Sequence, residues 1–179
     1  MERTHPQLGR SFLVSARQYF AKEENKMKYE KVMIALDGSE GSHQALQYGA
    51  ELAKSTGSEL TLAHVLAEPA YPLYGEGFTM AAYKGSVEQE VRDAAASEKG
   101  QGETLLEEAR NTALHYTDHV KTEILEGDAA KSICDYAKVH DMDLIVMGSR
   151  GLSGLKRMVL GSVSQQVLSE AECPVLVTK

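Results

Sequence analysis

The segment with the greatest capacity for chemistry is Gly148-Ser-Arg-Gly151-Leu-Ser-Gly-Leu-Lys-Arg-Met-Val-Leu-Gly161-Ser162-Val-Ser164. It follows the apolar run Asp143-Leu-Ile-Val-Met147 and leads into a stretch of helical periodicity. Glycines in such a place let the backbone come close to a phosphate, and the free N–H groups of the following helix present partial positive charge to it. Ser162 and Ser164 add hydroxyl donors, while Arg150, Lys156 and Arg157 put cations into an otherwise acidic chain. Loop composition alone also fits a connection that only turns the chain, with Ser162 capping a helix. Neither Gly-x-Gly-x-x-Gly nor Gly-x4-Gly-Lys-Ser/Thr occurs.

Two further residues stand where strands should end. Asp37 is followed by Gly38-Ser39, so its carboxylate can close an Asx-turn or accept hydrogen bonds from a ligand. His64 precedes Val65, and along a strand the two side chains must point to opposite faces; a hydrogen-bonded structural role for the imidazole is the expectation. His5, His43, His115, His119 and His140 form no metal-spaced cluster. Cys134 and Cys173 form no Cys-x-x-Cys pair and are expected to be reduced, buried thiols.

These residues sit in a chain of 179 residues, 42% hydrophobic and 25% charged, which is the size of one ordinary domain. A formal net charge of −7 opposes a broad surface for nucleic acid or anionic membrane. Every apolar run is interrupted well short of the roughly 20 residues that span a bilayer, so a cytoplasmic protein is expected. Residues 1–28 are basic where the rest is acidic. They are read as an N-terminal extension, either disordered or derived from cloning or an upstream start codon. Pro6 and Gly9 weaken an organellar presequence as the explanation.

Strands and helices alternate along the remainder. Strands are predicted at 31–36, 59–66, 120–125, 143–147 and 174–177, the first and fourth as apolar runs that suit a strand buried on both faces. Helical spacing follows Ser39 as far as Gly57, covers Glu103 to Tyr116 with Leu105, Leu106, Ala109 and Ala113 on one side, follows Asp128, and starts again at Gly161-Ser162. Strict alternation demands crossover connections and so predicts a parallel, doubly wound α/β sheet with helices on both faces. Residues 67–102 carry Pro69, Pro72 and five glycines and are read as a mobile insertion containing a helical piece around Val87 and Val91.

The spacing Gly148-x2-Gly151-x9-Gly161-Ser162 resembles the ATP-binding motif of universal stress proteins, Gly-x2-Gly-x9-Gly-Ser/Thr, at every defined position. The likeness extends to Val32-Met-Ile-Ala-Leu-Asp37-Gly-Ser, Leu62-Ala-His-Val65 and Cys173-Pro-Val-Leu-Val, and so covers residues 29–179. The resemblance implies a Rossmann-like, five-stranded parallel sheet in the order 3-2-1-4-5. It further implies that Ala35 and Val65 flank an adenine, that Asp37 accepts from ribose or adenine, and that Met147 and Gly148 form an edge against the nucleotide. By the same resemblance Gly151, Gly161, Ser162, Val163 and Ser164 surround the phosphates, with Arg150 nearby. Mg²⁺ would be held through the phosphates.

The expected function is then an ATP-binding, nucleotide-dependent stress regulator with at most slow hydrolysis, acting through protein partners that the sequence does not name. It is expected to be a homodimer joined along strand five. Two alternatives stand beside it: an ATP-hydrolysing or nucleotidyl-transferring enzyme, and a nucleotide-free interaction module. No residue is identifiable as a base that activates water, which disfavours the first. The intact motif disfavours the second.

Overall fold

The computed structural model describes residues 29–67, 80–152 and 160–179, with side chains of the long second helix described from residue 89. The expected N-terminal extension at 1–28 and residues 68–79 of the expected insertion lie outside these. Five strands, β1 (Lys31–Ala35), β2 (Glu59–Leu66), β3 (Val120–Glu126), β4 (Leu144–Gly148) and β5 (Val175–Thr178), form one sheet in the order β3-β2-β1-β4-β5. All four strand pairings are parallel, as the alternation predicts. Among the described residues no helix is long and apolar enough to cross a membrane.

Period two along the strands sorts the core into two layers. Val32, Ile34, Leu60, Leu62, Leu144 and Val146 face helix α1 (Glu40–Thr56) and the C-terminal part of α2 (Met80–Ala113), meeting Ala45, Leu46, Leu106 and Ala109. Met33, Ala63, Ile145 and Met147 face the other way, onto Ala130, Ile133 and Ala137 of α3 (Ala129–Val139) and Val167 of α4 (Ser162–Glu170). The helices begin and end on local chemistry. Ser39 caps α1 by accepting from the Ser42 N–H, Gly57 ends it in the left-handed region at φ 75°, and Asp128 caps α3 by accepting from the Lys131 N–H.

Helix α2 differs from expectation. Its 34 residues begin at Met80, so the stretch around Val87 and Val91 and the one after Glu103 are a single helix. Gly100 and Gly102 predict a break because glycine costs about 1 kcal/mol in a helix interior. Tertiary packing accounts for one of them: a Cβ on Gly102 would lie 2.7 Å from Cδ2 of His64, so glycine is what lets α2 settle onto β2. Gly100 is exposed and a Cβ there would meet nothing.

The strand order reverses at β1, whose neighbours β2 and β4 lead away in opposite directions. Ligand clefts of open α/β sheets form outside the carboxyl ends of strands at such a reversal.

Candidate functional site

The floor of the cleft at this reversal is apolar. Ala35, the last residue of β1, stands opposite Ala63 of β2 and Met147 of β4, and Ala35, Val65 and Met147 all project to the α3/α4 side of the sheet. Ala129 and Ile133 of α3 face them across the opening. A flat, uncharged ring suits such a slot, since its faces bury against methyl groups while backbone groups at the strand ends meet its edge.

The turn after β1 supplies the acid. Asp37 Oδ1 accepts from the Ser39 N–H at 3.0 Å, which is the Asx-turn geometry. Its other oxygen is directed across the cleft mouth at Gly151, where an added Cβ would lie 2.5 Å from Oδ2. Ser39 ties this turn to the opposite loop by donating from Oγ to the Arg150 carbonyl at 3.3 Å. Asp37 is the one carboxylate lining the cleft among the described residues.

The loop after β4 supplies the donors. Gly161 N–H donates to Ser149 O at 2.7 Å, closing the base of the excursion between them. Gly161 is also the N-cap of α4 and makes no side-chain capping bond. Among the described residues the N–H groups of Ser162, Val163 and Ser164 have no acceptor, so the positive end of α4 opens into the cleft. Ser164 is buried and its hydroxyl donates to Gly148 O at 2.8 Å, so in this arrangement its proton ties α4 to the end of β4. Ser162 and Arg150 are exposed. Lys156 and Arg157, the other cations of the loop, lie outside the described residues.

Of the residues singled out from the sequence, Ala35, Asp37, Val65, Met147, Gly148, Arg150, Gly151, Gly161, Ser162, Val163 and Ser164 all line this one cleft. Gly148 has a second reason to be glycine, because a Cβ there would come within 2.6 Å of the Gly41 carbonyl carbon at the start of α1. Sequence reasoning missed Gly41, Ala129 and Ile133. The last two belong to an ordinary amphipathic helix, whose spacing signals burial without saying that a cleft interrupts it. His64 also borders the cleft, with its Nδ1 hydrogen-bonded to Leu36 O at 2.8 Å.

Among the described residues no group of three or more His, Cys, Asp or Glu could hold a metal ion. Cys134 and Cys173 are free thiols packed against the α3/α4 layer, outside the cleft lining, and half-buried instead of fully buried as expected. Burial pushes both thiols above their ordinary range.

Comparison with known proteins gives the same answer over the same residues. The model of the universal stress protein family matches residues 28–179. Universal stress protein YxiE of Bacillus subtilis is 35% identical over 154 residues, which is 84% of this chain and 99% of that protein. Among solved structures, universal stress protein UspA from Lactobacillus plantarum superposes with a TM-score of 0.65 at 26% identity, covering 85% of this chain and 99% of that one. The universal stress protein from Archaeoglobus fulgidus, solved in complex with dAMP, has a TM-score of 0.59 at 20% identity and covers 86% of this chain and all of its own. The chain belongs to the universal stress protein family.

Proposed function

We propose that this protein binds ATP in the cleft between β1 and β4 and acts as a nucleotide-dependent regulator of the stress response, hydrolysing ATP slowly at most. In this reading the adenine enters the slot of Ala35, Val65 and Met147, facing Ala129 and Ile133. Asp37 accepts from the ribose hydroxyls through the oxygen that Ser39 leaves available. The phosphates approach the backbone of Gly151 and Gly161 and the free N–H groups of Ser162 and Val163. Gly148 gives the edge, Ser164 joins by turning its hydroxyl from Gly148 O, and Arg150 offsets charge from the rim. Mg²⁺ would ride on the phosphates.

The observation that carries the reading is the uncapped start of α4 facing a lone, oriented carboxylate across an apolar slot. That pattern fits a ligand with an anionic end, a hydroxylated middle and a flat apolar end. The Archaeoglobus fulgidus universal stress protein, which shares the fold and was solved in complex with dAMP, supports the reading. A hydrolytic or transferase reading needs a base beside the phosphates. In this reading the second oxygen of Asp37 is taken by the ribose, and His64 Nδ1 is bonded to Leu36 O, so the regulator is the better reading.

Regulation requires a surface that responds. β5 is an outer strand of the sheet, with Leu176 41% exposed, and an unpaired strand edge is usually covered in soluble proteins. A second copy running antiparallel would cover it and give a twofold, self-complementary contact. Native mass spectrometry of the purified chain before and after Mg-ATP tests both parts together. The reading predicts a dimer that gains the mass of ATP. A species that gains none would reject the nucleotide role.

A further inference from the structure

We infer that His64 is a positioning residue, holding the peptide that carries Asp37 in the place the cleft requires. The main-chain ladder between β1 and β2 ends with Ala35 opposite Ala63 and a last bond from Leu36 N–H to Ala63 O at 2.8 Å. One group further along, the Leu36 carbonyl accepts from Nδ1 of His64 at 2.8 Å. A carbonyl can only accept, so Nδ1 carries the hydrogen. The imidazole therefore fixes the Leu36–Asp37 peptide at the point where β1 leaves the sheet and turns through Gly38, at φ 80°, into α1. Ser39 N–H then sets the carboxylate itself. Adjacent residues of β2 thus serve the cleft from opposite faces of the sheet: Val65 builds its floor, and His64 anchors its acid from behind.

The ring is not free to drift. Helix α2 crosses directly over it at Gly102, where an added Cβ would lie 2.7 Å from Cδ2 and 3.2 Å from Nε2 of His64. Gly102 is buried, so the helix cannot yield outward without losing its contact with the sheet. His64 is thereby a link between α2 and the Asp37 turn, and a shift of α2 reaches the cleft through one side chain. The predicted effect on affinity rests on the nucleotide reading above. The hydrogen bond and the anchoring of the turn do not.

The test uses the full chain and the variants His64→Leu, His64→Asn and Gly102→Ala. In Asn the side-chain amide can donate in place of Nδ1, whereas Leu cannot. Titration calorimetry with Mg-ATP should find His64→Leu weaker by roughly three- to tenfold, the worth of one such hydrogen bond, and His64→Asn within about twofold of wild type. Gly102→Ala should weaken binding in the wild-type background and do less in the His64→Asn background, which lacks the ring atoms that a Cβ would strike. Equal loss in Leu and Asn would overturn the positioning role. Two readouts do not require nucleotide. Nitrogen NMR of the imidazole should find His64 protonated on Nδ1, and hydrogen exchange at Ser39 N–H should speed up in His64→Leu and recover in His64→Asn. An Nε2-protonated neutral ring, or exchange unchanged in Leu, would overturn the inference even if the protein binds ATP. Conversely, the expected NMR and exchange results in a chain that ignores Mg-ATP would uphold the anchoring and reject only the proposed ligand.

Discussion

Gly148 and Gly41 meet backbone to backbone: a Cβ on Gly148 would lie 2.6 Å from the Gly41 carbonyl carbon and 2.9 Å from Ser42 N. The end of β4 and the first turn of α1 are thus closer than any side chain allows, and Thr178 Oγ1 reinforces the contact by donating to Gly41 O at 3.2 Å. Gly161 is different, because a Cβ there would find its nearest neighbours at an ordinary 3.6 Å. The expected outcome is that Gly148→Ala destabilises the fold by about 1–3 kcal/mol, as overpacking against backbone does, whereas Gly161→Ala costs less than about 1 kcal/mol. Urea unfolding measures both, and equal losses would contradict the account.

Gly151 and Asp37 form a second coupled pair, with a Cβ on Gly151 falling 2.5 Å from Asp37 Oδ2. Gly151→Ala should therefore cost stability when Asp37 is present and less when it is replaced in Asp37→Ala. A double-mutant cycle is expected to give a coupling above about 0.5 kcal/mol, the scale for residues in contact. Additive losses would mean that the carboxylate moves aside freely.

The two thiols give a prediction in pH. Burial is the main cause that raises Cys134, with Glu170 and Asp135 adding to it, and burial likewise raises Cys173. A raised value leaves less thiolate at any pH below it, and thiolate is the reactive form. Alkylation by iodoacetamide at pH 8, followed by intact mass, should be slower for both cysteines in the folded chain than after denaturation. Reaction at the rate of the denatured chain would contradict this.

Much of the fold was legible because both faces of a parallel sheet are covered at its centre, so β1 and β4 are written as nearly continuous apolar runs, whereas the outer strand β3, Val-Lys-Thr-Glu-Ile-Leu-Glu, is not. Val32-Met-Ile and Leu144-Ile-Val-Met are such runs, and they lie side by side in the sheet. The cleft was legible where motif residues stand at strand ends. Contacts between distant backbones were not: nothing local to Gly41 records that Gly148 will press against it. The early start of α2 was hidden for a related reason, since Gly102 reads locally as a helix breaker and is explained only by the His64 ring beneath it. His64 itself was half legible. Alternation along β2 turns it away from Val65, but its acceptor, the Leu36 carbonyl, appears only once β1 is placed beside β2.

The exposed edge at β5 offers a direct test of self-association. Val175 and Val177 pack toward the α3/α4 layer, which leaves Leu176 as the apolar side chain most available on that strand. Light scattering should find a dimer for the wild-type chain and a monomer for Leu176→Glu, since like charges would face each other across a twofold contact. A wild-type monomer, or a variant that stays dimeric, would remove β5 as the interface.

The most direct measurement is a calorimetric titration of the wild-type chain and Gly161→Val with Mg-ATP, each first shown to be folded by circular dichroism. A Cβ at Gly161 meets the protein at an ordinary 3.6 Å, and the methyls that valine adds beyond it are expected to stand where the phosphates are proposed to lie. The account predicts saturable binding by the wild type, a thermal midpoint that rises with ligand concentration, and loss of both in Gly161→Val at nearly unchanged intrinsic stability. No heat and no thermal shift at millimolar Mg-ATP in a folded wild-type chain, or wild-type affinity in the variant, would contradict it.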